Sequence, residues 1–112
     1  MAIKTEDYGK VCVVALNGDF TSDSIKELKA TAELRLEQRR VADFVIDFEK
    51  VDFIDSEALE TLLWLKRRCE DLFGQTKLVN LDENCRKILE ITRLEPRFEC
   101  QADLAAALKT MR

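Results

Sequence analysis

Two hydrophobic periods alternate along the chain. Val11-Cys12-Val13-Val14-Ala15-Leu16 is a short run rich in β-branched residues, ended by Asn17-Gly18, and predicts a buried strand. The more polar segment Ala2 to Asp7 predicts an edge strand before it, with a turn at Tyr8-Gly9. The cluster Thr21-Ser22-Asp23-Ser24 marks a helix start, and Ser24 and Glu27 have capping-box spacing. That helix is expected from about Ser22 to Arg39, with Ile25, Leu28, Ala32 and Leu36 as its apolar stripe. Phe44 to Phe48 predicts the second strong strand. Val51-Asp52-Phe53-Ile54 then leads into Asp55-Ser56 and a long helix reaching about Phe73, with Gly74 as its stop signal. Thr76 to Asn80 predicts a further strand. Asp82 can cap a helix containing Cys85, Ile88, Leu89 and Thr92, which Pro96 forbids from continuing. Arg97 to Cys100 predicts a last strand, and Ala102 to Met111 a terminal helix with Leu104, Ala105 and Leu108 on one side.

Strands alternating with helices predict an α/β fold with right-handed crossovers. The expected architecture is a mixed, mostly parallel sheet of four to five strands packed with about four helices. With 112 residues, residues 1–112 read as a single domain. Three glycines and one proline leave room only for short connections.

Composition narrows the function. Apolar residues make up 46% and charged residues 36%, which suits one buried core. The net charge of −4, with Lys and Arg interleaved among acids, gives no basic footprint for nucleic acid. No apolar run is long enough to span a bilayer, and Met1 to Glu6 lacks the pattern of a signal peptide, so a cytoplasmic protein is expected. There Cys12, Cys69, Cys85 and Cys100, with no Cys-x-x-Cys among them, are expected as free thiols, mostly packed as small hydrophobes. The absence of histidine removes the Ser-His-Asp triad, the Cys-His dyad and the usual zinc sites. Asp47, Asp52 and Asp55 are the remaining metal-ligand candidates. No glycine-rich phosphate loop accompanies them, and no metal or cofactor is expected.

The junction at Asp55-Ser56 carries the chemistry. In open α/β sheets function gathers where strands end and helices begin. A serine at a helix start presents its hydroxyl near free backbone N–H groups and the positive end of the helix dipole, so a phosphate attached there finds donors. Both residues are also favoured N-caps, and capping alone is a sufficient reason for either.

Phe48-x-x-Val51-x-Phe53-Ile54-Asp55-Ser56-x-Ala58-Leu59-x-x-Leu62-Leu63 resembles the hallmark of the STAS family, in which a strand and short loop reach Asp-Ser-[Ser/Thr]-Gly-Leu before an amphipathic helix. Val14-x-Leu16-x-Gly18-Asp19-Phe20, Lys77-Leu78-Val79-Asn80, Arg86-Lys87-Ile88-Leu89-Glu90-Ile91-Thr92-x-Leu94, and Phe98 followed by Ala105-x-x-x-Lys109 are similar to the other strands and helices of that family. The resemblance implies a compact β-α superhelix that binds protein partners and has no catalysis of its own. In the anti-sigma-factor antagonists of the family, the serine after the motif Asp is phosphorylated by an anti-sigma kinase, which the unmodified antagonist binds. By position that serine is Ser56, and Asp55 is the motif Asp. The chain departs from the pattern at Glu57, where the family has Ser or Thr, at Ala58, where it has Gly, and at Thr21, where it has Asp.

On the long helix, Ala58, Leu59, Leu62, Leu65, Cys69 and Phe73 share one side at about 100° per residue and are the expected core, flanked by Leu63 and Leu72. Glu57, Glu60, Trp64, Arg67 and Asp71 share the other. Trp64 either lies along the stems of Arg67 and Arg68 or under a neighbouring loop, or it anchors an interface, tryptophan being enriched among binding hot spots. The expected partner surface is therefore Asp55, Ser56, Glu57, Glu60, Trp64 and Arg67, with Asp19 and Thr21 of the preceding loop. The partner implied by the resemblance is an anti-sigma factor or serine kinase. The alternative is the ATPase of an ABC-type transporter, which similar STAS subunits clamp while lacking the full Asp-Ser-[Ser/Thr]-Gly pattern.

Overall fold

The computed structural model describes residues 3–18, 20, 22–38 and 41–111, apart from the side chains of Ser22 and Asp23. Its elements are β1 (Ile3–Tyr8), β2 (Val11–Asn17), α1 (Ser22–Glu37), β3 (Asp43–Lys50), α2 (Ser56–Asp71), β4 (Thr76–Val79), α3 (Glu83–Ile91), a 3-10 turn (Glu95–Arg97), β5 (Glu99–Gln101) and α4 (Leu104–Lys109). The five strands form one sheet in chain order. β1 pairs antiparallel with β2, and every later pair is parallel. Gly9 makes the β1–β2 turn with φ of 64°, a conformation that costs glycine nothing.

The period of two in the strands divides the core. Cys12, Val14 and Leu16 of β2, Phe44, Ile46 and Phe48 of β3 and Leu78 of β4 pack beneath the apolar stripes of α1, α2 and α3. Val11, Val13, Val45 and Val79 point to the opposite face, where α4 covers them with Ala107 and Met111. α4 packs over β3, β4 and β5, and the β1 side chains on that face, Lys4, Glu6 and Tyr8, are exposed. Lys77 of β4 is buried under α4, where its ammonium donates to the Thr110 hydroxyl and pairs with Glu99 at 2.7 Å. This pairing holds the Glu99 carboxyl below its ordinary pKa. Cys12, Cys69 and Cys85 are buried free thiols. Burial pushes Cys12 and Cys69 up to about 11 and Cys85 to about 12, so they pack as neutral side chains.

Several boundaries depart from the expected ones. Ser24 lies within the first turn of α1 and is buried, so it is not the capping residue that its spacing from Glu27 predicts. Phe73, expected in the core, is fully exposed. It follows the end of α2 and takes φ of 61°, so its direction is no longer set by helical periodicity. Gly74 is not the left-handed residue. Its missing side chain instead admits Ala42, whose backbone oxygen would lie 1.9 Å from a Cβ at position 74. The last strand starts at Glu99 because Pro96 sits in the 3-10 turn. On α4 Ala105 is exposed, and the buried positions are Ala107 and the following Met111.

Candidate functional site

The site forms where two loops at the carboxyl ends of β2 and β3 meet. The Gly18 N–H donates to the Lys50 carbonyl and the Phe20 N–H to the Phe53 carbonyl, both at 3.0 Å. Phe20 and Ile54 make a parallel bridge, so the two loops extend the sheet by a short step. The apolar anchors below are Phe20 and Phe48, whose rings meet edge to face with centroids 6.1 Å apart. The loop after β3 is thereby fixed on both sides before α2 begins.

Asp55 is the N-cap of α2. Its backbone is extended, and its carboxylate accepts the Ala58 N–H at 2.8 Å. Ser56 is therefore the first helical residue, not the cap, and its side chain is exposed. Capping and presentation of a hydroxyl fall to neighbouring residues, which leaves the Ser56 hydroxyl free of the capping role. Glu57 and Glu60 are also exposed. Ala58 is fully buried, so the methyl group standing where the resemblance has glycine points into the core and not toward a partner. Thr61 is buried and donates to the Glu57 carbonyl at 2.9 Å.

One helical face further on, Trp64 is half-buried and packs against the core while keeping one side open. Its ring carries Lys29 Nζ of α1 and Arg68 Cζ, each 5.7 Å from the centroid. Arg68 also pairs with Glu33 of α1. The ring thus lies with Arg68, as one of the two readings has it, but its other cation comes from α1 and not from Arg67. Trp64, Lys29, Leu63 and Arg67 line a shallow groove of about 320 Å³ with Glu57, Glu60 and Thr61. The groove is acidic toward the start of α2 and cationic around the tryptophan.

Of the expected surface residues, Asp55, Ser56, Glu57, Glu60, Trp64 and Arg67 fall on the start and outer face of α2. Asp19 and Thr21 lie outside the described residues. Two further participants were not legible from spacing. Phe53 is 47% exposed beside Asp55, an apolar side chain left open in a loop. Lys29 comes to the groove only by the packing of α1 on α2. The metal candidates do not converge. Asp47 accepts from the Glu49 N–H at 2.9 Å and from Asn80 Nδ2 at 3.0 Å, while Asp55 is committed to its cap. Among the described residues no group of three or more acidic or thiol side chains could hold a metal ion, and no helix is long and apolar enough to cross a membrane. A larger concavity of about 600 Å³ lies over Ala15 and Asp47, and none of the expected partner-surface residues lines it.

A five-stranded mixed sheet with three helices on one face and one on the other, and a capped helix start bearing an open serine, describes a small α/β module. The chain belongs to the STAS domain family, whose model matches residues 2–107. The anti-sigma factor antagonist SpoIIAA in its unphosphorylated form superposes with a TM-score of 0.84 at 23% identity, over 96% of this chain and 95% of that one. The Bacillus cell fate determinant SpoIIAA in the phosphorylated form gives 0.78 at 23% identity, over 96% and 98%. A sulfate transporter family protein from Wolinella succinogenes gives 0.79 at 16% identity, over 89% and 83%. No curated protein sequence matches this chain.

Proposed function

We propose that this chain is a non-catalytic regulatory module of the cytoplasm that docks a protein partner through the start and outer face of α2, as an anti-sigma-factor antagonist does, and that phosphorylation of Ser56 switches the docking. The partner class is an anti-sigma factor with serine kinase activity, and the output is transcription. The observation that carries the reading is the division of labour at the helix start, where Asp55 caps and Ser56 stands exposed as the first helical residue. A kinase needs such an open hydroxyl. The structure of SpoIIAA in a phosphorylated form supports the same chemistry for a protein of this fold.

The switch rests on charge. A phosphoryl group adds about −1.5 to −2 charges beside Asp55, Glu57 and Glu60. A partner surface that meets Phe53 and Trp64 with apolar groups would have to desolvate that phosphate, and acids on the partner would be repelled by it. A coupling of about 1–3 kcal/mol changes affinity by roughly 5–150-fold, which suffices for a switch. The test is affinity capture from native cells with phosphosite mapping, comparing wild type with Ser56→Ala. Capture of a sigma-regulating kinase, phosphate on Ser56, and a constitutive partner-bound state for the Ala variant are the expected results. Complete absence of phosphate from Ser56, with wild-type output from Ser56→Ala, overturns the switch.

A second reading, a subunit regulating the ATPase of an ABC-type transporter, draws on Glu57 in place of a second hydroxyl. The fold also occurs in a transporter family protein. The same capture experiment separates the two readings, since a nucleotide-binding transporter ATPase would be recovered in place of the kinase.

A further inference from the structure

We infer that the free edge of β1 is a self-complementary docking surface for a second copy of this chain, forming a two-fold dimer whose strands pair antiparallel about Thr5. β1 is the outermost strand of the sheet, and one of its two backbone edges has no strand beside it among the described residues. Unpaired N–H and C=O groups on such an edge are a template for another strand.

Charge selects the register. A two-fold axis normal to the sheet keeps each face on its own side, so opposed residues must share a face. Lys4, Glu6 and Tyr8 lie opposite Ala15, Val13 and Val11 of β2, on the face of the sheet that carries α4, and all three are exposed. Ile3, Thr5 and Asp7 share the other. An axis through Lys4 would set lysine against lysine, and one through Glu6 would set glutamate against glutamate. The axis through Thr5 sets Lys4 of each copy against Glu6 of the other, two opposite-charge pairs, with threonine against threonine at the centre. Ile3 then faces Asp7, whose charge is already met by the Arg35 guanidinium of its own α1. Arg35 also donates to the Thr5 hydroxyl at 3.4 Å, so α1 holds the middle of the strand in place. On the other face the Tyr8 hydroxyl donates to Glu6 Oε2 at 3.3 Å, steadying the carboxylate where Lys4 of the second copy would arrive. Lys4 and Glu6 are both exposed.

Such a dimer is an isologous, closed assembly. Because the axis is normal to the sheet, β2 to β5 of the two copies run in opposite directions. The two Ser56 ends then point away from each other and both stay free. The dimer is thus a divalent ligand, which gains avidity for any partner that is itself paired. This pairing does not depend on the function proposed for Ser56.

Sedimentation velocity of the full chain over a concentration series tests it with two charge reversals. Lys4→Glu sets glutamate against glutamate in both pairs, and Glu6→Lys sets lysine against lysine. Each alone should weaken dimerisation by about tenfold. An equimolar mixture restores both opposite-charge pairs and should dimerise as tightly as wild type to within about twofold. Unchanged thermal midpoints by circular dichroism show that both variants fold. The proposal is overturned if wild type stays monomeric up to about 1 mM. It is equally overturned if the variants dimerise as wild type does, or if mixing them restores nothing.

Discussion

Helices α2 and α3 are built to the same plan at both ends, and only one of them carries the candidate site. Each begins after a parallel strand with an extended aspartate cap. Asp55 accepts from Ala58 at 2.8 Å and Asp82 from Cys85 at 2.7 Å. Each closes with the same pair of bonds, Phe73 to Glu70 and Gly74 to Cys69 in α2, Arg93 to Glu90 and Leu94 to Leu89 in α3. In both, a non-glycine residue takes the left-handed position, Phe73 at φ of 61° and Arg93 at 62°. Each also buries a cysteine on its inner face. The plan is therefore structural, and an aspartate cap at the end of a strand is no sign of function. The residue after the cap and the groups around it set α2 apart. Ser56 stands where α3 has Glu83, Phe53 is open in the loop before it, and α1 supplies Lys29 to the ring of Trp64.

The largest difference between the two helices should appear at their ends. Gly74→Ala forces a methyl group into the Ala42 backbone and should cost about 3 kcal/mol, lowering the melting temperature by more than about 10 °C. The equivalent Leu94→Ala removes only a half-buried side chain and should cost about 1 kcal/mol, so urea unfolding of the two variants tests whether close approach sets the identity of residue 74. Next in size is docking. Ser56→Asp should weaken partner binding by at least about fivefold. Glu83→Ser, which gives α3 the same Asp-Ser start, should leave binding unchanged; calorimetric titration of both against the captured partner would show whether surroundings or motif confer the site. Asp55→Ala and Asp82→Ala should each cost about 1 kcal/mol of stability, equal within error, because the caps are equivalent. A much larger loss at Asp55 would mean that it holds more than its helix. The smallest effects should be gains. Phe73→Gly and Arg93→Gly each relieve a left-handed conformation at an exposed position and should raise stability by about 0.5–1 kcal/mol in thermal melts.

Much of this was legible along the chain. The inner stripe of α1, the inner face of α2 from Ala58 to Cys69, the cap at Asp82, and the alternation of strands and helices are all consequences of periodicity and side-chain chemistry within a few residues. The errors fall where local rules stop applying. Ser24 looked like a cap because its spacing from Glu27 fits one, but the helix had already begun. Phe73 fits the helical stripe in projection, yet it lies past the last turn. Gly74 reads as a conformational stop, whereas its smallness serves a close approach to Ala42, the residue just before β3.

Residue order alone dictates that the chain folds as an alternating α/β sheet, that most of its thiols pack as small hydrophobes, and that a serine stands at the start of the long helix. These come from residue periods and from single side chains. Only the packed molecule shows that Asp55 does the capping and leaves Ser56 open, that Trp64 is flanked by cations from two helices, that Lys77 is buried under α4, and that β1 presents a free edge. Each of these depends on which elements become neighbours, and neighbours are selected by the burial of both faces of the sheet, to which residues far apart in the chain contribute together.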